Sequence, residues 1–342
     1  MNSKDIENKG NFWKGLNKPF FCLAPMADVT DIAFRTIISK YSRHGQVGGG
    51  PDVFWTEFVS ADGLMSEGRD ALKVDLKYGT GEHPIVAQIF GSNLENMYGA
   101  SKLCATLGFD GVDINMGCPD RSIEKQGAGA SHIKDPEHAV EVIRAVKRGI
   151  KDSGRDIPVS VKTRIGYNKN SINEWIPKLL GENLAALTIH ARTRKEMSLV
   201  PARWEHVREV VEIRDRMGVD TLIIGNGDLQ NLDMAKEKVS VSHADGAMLG
   251  RAIFGNPWLF DSNKKEVSLK EKLEVMCEHT ELFERELGGL KNFAIMKKHY
   301  KAYVNGFDGA KELRVRLMED ATTAKEVREI VENFLAGYRN LL

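Results

Sequence analysis

Asp113-Ile114-Asn115-Met116-Gly117-Cys118-Pro119 is the stretch from which the fold can be worked out. It continues a short run, Gly111-Val112, that is typical of a buried strand, and it ends in a Gly-Cys-Pro turn, where glycine and proline interrupt regular structure. The pattern predicts a thiol at a turn just beyond the carboxyl end of a strand, where it can reach a ligand. A cysteine that only packs in the core is the alternative on this stretch alone.

The same order, an apolar run followed by a polar tip, recurs along the chain. Besides the opening stretch, residues 20–25, 53–57, 84–90, 157–162, 185–190, 221–226 and 245–250 are predicted as strands. These runs are continuously apolar, as expected of parallel strands buried on both faces, and helical segments separate most of them. Eight such units over residues 19–262 predict an α/β protein with a (β/α)8 barrel, or TIM barrel. An open doubly wound sheet is the alternative, but it favours a glycine-rich fingerprint that Pro25-Met26-Ala27-Asp28 does not supply.

The remaining segments flank this barrel. Beyond residue 262 the composition shifts to charged helix-forming residues, and residues 269–287, 293–304 and 325–341 have apolar residues at helical spacing. We therefore expect a small C-terminal all-helical domain over residues 263–342 and an N-terminal extension over residues 1–18.

The composition excludes several classes of protein. Lys and Arg number 48, as do Asp and Glu, so the net charge is zero and any nucleic-acid surface must be local. The cysteines, Cys22, Cys104, Cys118 and Cys277, form no CxxC pair, which argues against zinc and disulfides and indicates a reducing compartment. The amino terminus lacks an apolar signal core, and no apolar run reaches the roughly 18 residues that span a bilayer. We expect a monomeric cytoplasmic protein that binds neither metal nor membrane.

The strand ends carry the candidate site. They are Met26, Glu57, Gln88, Asn115 with Cys118, Lys162, His190, Asn226 and Gly250-Arg251. Because the active sites of such barrels lie at the carboxyl ends of the strands, we expect a shared pocket. Taken singly, Lys162 can extend along an apolar surface to solvent and His190 can be a hydrogen-bonded core histidine. The turns at 226–228 and 250–252 lie where such barrels often bind phosphate, with ordinary tight turns as the alternative.

From about residue 20 to its end, the chain resembles the tRNA-dihydrouridine synthases. The motifs that carry the resemblance are Ala24-Pro25-Met26-Ala27-Asp28-Val29-Thr30-Asp31, Ala87-Gln88-Ile89-Phe90-Gly91, the opening stretch with Gly127-Ala128-Gly129, Val161-Lys162-Thr163-Arg164, His190-Ala191-Arg192-Thr193, Gly225-Asn226-Gly227-Asp228, Gly250-Arg251, Lys298-His299-Tyr300 and Gly309-Ala310-Lys311-Glu312-Leu313-Arg314. Two departures stand out: Asp28 replaces the usual glycine, and residues 197–204 lack the tyrosine and glycine often found after His-x-Arg-Thr.

The resemblance implies an FMN-dependent enzyme that reduces the uracil 5,6 double bond of specific uridines in tRNA, with NADPH (or NADH) as reductant. It implies Cys118 as the general acid toward C5 of a flipped base, since a thiol with a pKa of roughly 8.5 is protonated at neutral pH. Asn115 and Arg192 are expected to contact the substrate. The implied cofactor residues are Pro25, Met26, Ala27, Gln88, Lys162, His190, Asn226, Gly227, Asp228, Gly250 and Arg251.

The helical part has a local excess of cations that we expect to grip the tRNA backbone. They are chiefly Lys297, Lys298, Lys301, Arg314 and Arg316, with Leu313, Val315 and Leu317 expected in the domain core. A solvated helix face, with its aromatic residues in the core, is the alternative.

Two other functions stay open. An FMN barrel that acts on a free pyrimidine, as a dihydroorotate dehydrogenase does, leaves the basic helical part without a purpose. A tRNA-binding folding aid with a vestigial redox site is disfavoured by the intact Cys118 and Lys162.

Overall fold

The predicted (β/α)8 barrel is confirmed in the computed structural model, which describes residues 10–339. Its strands are β1 (Phe20–Leu23), β2 (Phe54–Ser60), β3 (Ile85–Phe90), β4 (Gly111–Met116), β5 (Val159–Arg164), β6 (Ala186–His190), β7 (Leu222–Asn226) and β8 (Gly246–Leu249). All neighbours pair in parallel in the order β1-β8-β7-β6-β5-β4-β3-β2, and a parallel bridge from Cys22 to Val53 closes the ring.

Helices alternate with these strands in the barrel, and the last four helices follow β8. They are α1 (Ile32–Tyr41), α2 (Ala61–Leu64), α3 (Arg69–Leu72), α4 (Leu94–Thr106), α5 (Arg121–Lys125), α6 (Pro136–Asp152), α7 (Ile172–Leu180), α8 (Glu205–Met217), α9 (Leu232–Ser242), α10 (Leu269–Leu287), α11 (Ile295–Tyr303), α12 (Ala310–Glu319) and α13 (Ala324–Arg339). Asp31 caps α1 by accepting from Phe34 N, and Asp135 caps α6 by accepting from His138 N. The predicted helix end at residue 341 lies outside the described residues. Over residues 10–339, no helix combines the length and apolar content needed to cross a membrane.

Two strands extend beyond their predicted ends. β2 continues to Ser60, so Glu57 lies inside the strand, at a register shift between Trp55 and Phe58, and not at its tip. β5 continues to Arg164, so Lys162 also lies inside its strand. Both predictions ended the strand at its first charged residue, whereas backbone pairing with the neighbouring strands continues past it.

The amino-terminal end of the barrel is closed by apolar packing. A short 3-10 helix, Phe12–Gly15, places Trp13 beneath the strands, with 3% of its surface exposed. The Trp13 ring lies 5.7 Å from that of Phe20 and 5.9 Å from that of Trp55. Part of the predicted N-terminal extension therefore packs against the barrel, while residues 1–9 lie outside the described structure.

The helical part shares α1 with the barrel. Phe34 and Ile38 of α1 pack in the barrel core, whereas Ala33 and Ile37 pack in a second core built by α10 to α13. At the end of α1, Tyr41 donates a 2.6 Å hydrogen bond to Glu278 of α10. The helical region is confirmed, and its boundary at residue 262 stays a prediction.

Candidate active site

A cavity of about 650 Å³ opens at the carboxyl ends of the strands. Ten predicted residues line it: Pro25, Met26, Lys162, His190, Arg192, Asn226, Gly227, Asp228, Gly250 and Arg251. Its lining also includes Ser198 and Gln230, which sequence reasoning missed. Ala27, Gln88, Asn115 and Cys118 are not part of the lining. Most of the predicted cofactor residues, which were taken from the strand ends, therefore meet in one cavity. Cys118 lies outside the lining of that cavity.

The turn after β7 is rigid. Gly227 has a φ of +131°, and a Cβ there would lie 2.6 Å from the Cβ of Ala202, so only glycine fits. The Asp228 carboxylate accepts hydrogen bonds from Arg192, from Ala202 N at 2.8 Å and from Arg251 Nη2 at 3.1 Å. The guanidinium of Arg192, together with Ala202 N–H and Arg251, holds the pKa of Asp228 below its usual value, against the opposing effect of partial burial. The backbone of this turn is thus fixed at the cavity wall.

Positive charge predominates around His190. Burial, and then the cations Arg164, Lys162, Arg192 and Arg251, keep the pKa of His190 well below its usual value, so its ring is neutral. Lys162 Nζ lies 3.4 Å from Asn226 Oδ1, and burial followed by Arg164 lowers the pKa of Lys162 to about 8. Because these cations lower one another's affinity for protons, the cavity favours an anion.

Arg192 lies within this corner of the cavity and not at the protein surface. Its side chain donates to Val200 O at 2.5 Å and to Asp228, and Nη1 lies 3.1 Å from His190 Nε2. Only 2% of Arg192 is exposed. The expected contact of Arg192 with the substrate stays a prediction, because Arg192 lines the cavity while its guanidinium already has protein partners.

The backbone of the cysteine turn is held by hydrogen bonds from several elements. Asn115 Oδ1 accepts from Gly117 N at 3.1 Å and from Cys118 N at 2.9 Å. Cys118 O accepts from Ala130 N at 2.9 Å, and Gly117 O accepts from Arg164 Nε at 2.7 Å. Of the four cysteines, all of which the structure describes, Cys118 alone is not buried. The predicted thiol at a strand end is therefore both accessible and fixed.

A buried polar chain orients Asn115. Gln88 Nε2 donates to Asp113 Oδ2 at 2.7 Å, and Asn115 Nδ2 donates to Gln88 Oε1 at 3.1 Å. Ser160 donates to the other Asp113 oxygen at 2.6 Å. Gln88 is fully buried and Asn115 is 6% exposed, so their amide groups serve the cysteine turn here. The expected contacts of these two side chains with cofactor and base stay predictions.

The predicted tRNA-gripping cations differ in availability. Lys297 donates to Met318 O and Arg314 to Val304 O at 2.6 Å, both within the helical part. Lys298 donates to Asp28 O at 2.9 Å, while Lys301 and Arg316 are exposed.

The core of the helical part differs from the prediction at one position. Leu313 and Leu317 are buried as predicted, but Val315 is 46% exposed, because residues two apart on a helix face different ways. The side chains of His299, Tyr300 and Tyr303 are fully buried. This agrees with the alternative in which the helix exposes its cations to solvent and packs its aromatic residues in the core.

Comparison with known proteins identifies the family. The family model described as dihydrouridine synthase (Dus) matches residues 22–337. The chain belongs to the dihydrouridine synthase family. It is 39% identical over 331 residues to a protein of Staphylococcus aureus named probable tRNA-dihydrouridine synthase, covering 96% of this chain and 97% of that one. It is 40% identical over 331 residues to a probable tRNA-dihydrouridine synthase 2 of Bacillus subtilis, covering 96% and 98%.

In this dihydrouridine synthase, Trp204 supports the site from behind the cavity. Its indole Nε1 donates to Gly227 O at 3.0 Å. Its ring packs on Gly225, where a Cβ would lie 2.1 Å from a ring carbon. A glycine inside a strand often marks such a close approach, and this was the available signal in the sequence. Trp204 ends the segment that departs from the family pattern at 197–204, so that segment still anchors the turn after β7.

Proposed function

We propose that this chain is a cytoplasmic enzyme that reduces uridines in tRNA to 5,6-dihydrouridine with FMN and NADPH (or NADH). The observation that carries the proposal is a cationic, glycine-lined cavity beside a fixed cysteine turn, in a member of the dihydrouridine synthase family. The names of its relatives support tRNA as the substrate.

The residues around the cavity fit FMN. The N–H groups of the turns at Gly227 and Gly250, with the guanidinium of Arg251, form a cradle for a phosphate. Pro25 and Met26 offer an apolar wall for a planar ring. Lys162 would hold the ring edge on which negative charge gathers upon reduction.

The chain's own residues then complete the reduction. Bound FMN would supply the hydride that C6 receives, since no side chain can supply one, and NADPH would replenish it. Cys118 would supply the proton that C5 receives. Burial raises the pKa of the Cys118 thiol, so the thiol keeps its proton at neutral pH. The thiolate left behind would lie near Arg164 and Lys162, whose charges favour it.

The direct test is product formation on unmodified tRNA. Purified protein with FMN and NADPH should convert uridine to dihydrouridine, detected as a mass increase after nuclease digestion. Reduction of a free pyrimidine but not of tRNA would favour the dihydroorotate-dehydrogenase-like alternative. Binding of tRNA by a protein that takes up no FMN would favour the folding aid.

Lys162 should make flavin binding depend on pH. With a pKa of about 8, its ammonium is present below that pH and is lost as pH rises, so affinity for anionic reduced flavin should fall through about pH 8. In Lys162→Met the affinity should be lower by roughly 10-fold or more, as for a lost charged hydrogen bond, and the decline should disappear. Anaerobic titration from pH 6.5 to 9.5 measures both effects. The control is Lys151→Met, an exposed lysine at the other end of the barrel. A decline near pH 8 that persists in Lys162→Met would contradict this role.

We also propose that the helical part grips the tRNA backbone, chiefly through Lys298, Lys301 and Arg316. Replacing all three with glutamine should weaken binding and flatten its salt dependence by roughly two to three log units per log unit of salt. Fluorescence anisotropy with labelled tRNA at several salt concentrations measures the slope. Lys297→Met should leave the slope unchanged, because Lys297 is half-buried with its ammonium bound to Met318 O, whereas Lys298, Lys301 and Arg316 are exposed. An unaltered slope in the triple variant would show a merely solvated face.

A further inference from the structure

We infer that the barrel rim over β4, β5 and β6 is a second surface that holds the RNA backbone, across the mouth from the helical part. The inference rests on the proposed function, since RNA is the ligand it names. It concerns residues outside the cavity and outside the helical part.

The rim carries exposed cations without acidic partners. They are Arg121, Lys125, Lys134, Lys169 and Lys195, and none forms an ion pair within residues 10–339. They lie on α5, at the end of the 3-10 helix Gly129–Lys134, and on the loops that follow β5 and β6. All these segments follow the carboxyl ends of their strands, so the cations surround the same mouth as the cavity.

The acidic side chains of these loops are already engaged. Glu124 accepts from Arg194 Nε at 2.8 Å, and Glu196 accepts from Arg203 at 2.8 and 2.9 Å. Asp120 caps α5, accepting from Ser122 N at 2.8 Å, and Asp135 caps α6. Two of these four carboxylates pair with Arg194 and Arg203, and the other two keep their charge as helix caps. The five exposed cations outnumber these two caps, so the rim is locally positive although the whole chain is neutral.

An aromatic ring lies among these cations. Tyr167, half-buried on the loop after β5, has Lys134 Nζ 4.6 Å from its ring centroid. The guanidinium carbon of Arg194 lies 5.4 Å from the same centroid. Cations suit phosphates and an aromatic face suits bases, and their combination is typical of surfaces that bind single-stranded RNA. This favours RNA over an acidic protein as the partner.

The strand order places this rim opposite the helical part. The helical part is attached at α1, and its Lys291 lies 2.5 Å from Glu57 of β2, while β5 lies across the ring from β1. A base entering the mouth would thus have cations on both sides of its backbone. Contacts of this kind set position and orientation and carry no sequence information.

The test compares two variants with equal loss of charge. The rim variant combines Lys134→Gln, Lys169→Gln and Lys195→Gln. The control variant combines Lys14→Gln, Arg148→Gln and Lys151→Gln, exposed cations at the amino-terminal end of the barrel. In the rim variant, the slope of log Kd for tRNA against log salt should fall by roughly two to three units, and in the control it should not change. FMN uptake should be parental in both.

The outcomes separate this inference from the proposed function. If the parent forms dihydrouridine and the rim variant binds tRNA with the parental Kd and slope, the second surface is overturned and the function stands. If the parent forms no dihydrouridine but the rim variant loses tRNA affinity, the surface stands and the function fails. Should the rim variant unfold early, the pair Arg121→Gln and Lys125→Gln on exposed positions of α5 repeats the measurement, and an unchanged slope there overturns the inference.

Discussion

Replacing Cys118 with alanine should lower dihydrouridine formation by about 10²–10⁴-fold, the usual cost of losing a positioned general acid. Folding and FMN uptake should be parental, because the turn is held by its backbone and by Asn115, none of which uses the thiol. The reduction of bound flavin by NADPH should also be unchanged, since it precedes the proton transfer. Single-turnover mixing of pre-reduced enzyme with tRNA isolates the affected step.

The dependence of dihydrouridine formation on pH gives a second expectation for Cys118. A general acid works only while protonated, and burial raises the pKa of Cys118, so with FMN kept saturating the activity of the parent should persist beyond the pH at which an ordinary thiol ionises. Cys104→Ala, which removes a buried thiol of α4, is the control that should leave this profile in place. Product formation at the parental rate by Cys118→Ala would show that Cys118 is a packing residue.

Arg192→Ala should be the most damaging change in the cavity corner. It removes the guanidinium that donates to Val200 O and to Asp228, whose carboxylate is 38% exposed and keeps Ala202 N and Arg251 as donors. The free energy of unfolding should therefore fall by about 2 kcal/mol, the usual worth of a hydrogen bond to a charged group, and FMN retention should be lost. Urea unfolding with and without FMN measures both quantities. Arg192→Lys should rescue little, because one ammonium cannot replace a guanidinium with several fixed donors.

Arg251→Ala is the matched control for this corner. The Arg251 side chain is 66% exposed, so its loss should weaken FMN retention with little effect on stability. Parental stability and FMN uptake in Arg192→Ala would contradict the view that Arg192 organises the corner, and would return it to the substrate contacts expected from the sequence.

Much of the barrel could be predicted because strands buried on both faces are read as unbroken apolar runs. The errors fall where charge enters such a run, as at Glu57 and Lys162, whose strands continue beyond them. Trp13 was missed for the opposite reason, since it stands in a polar lead-in and finds its core only through the tertiary fold.

The composition of the cavity could be predicted because strand ends converge, whatever the details of packing. The hydrogen-bond partners of each side chain could not be predicted from the sequence. Gln88, Asp113 and Asn115 meet on neighbouring strands, and Arg192 reaches Asp228 over 36 residues of chain. These pairings depend on tertiary geometry that leaves no local pattern. They decide which polar side chains stay available to a ligand.

The sharing of α1 between two hydrophobic cores has a consequence for how this protein can be dissected. A fragment that ends with the barrel would expose Ala33 and Ile37 in an apolar patch on its outer surface, and such a patch promotes aggregation. The excised helices would in turn lose the apolar surface of α1 against which they pack. We therefore expect neither piece to fold independently. Because the junction is apolar and continuous, the two parts cannot hinge freely, so a bulky substrate must approach a nearly rigid cradle and adapt its own shape to it.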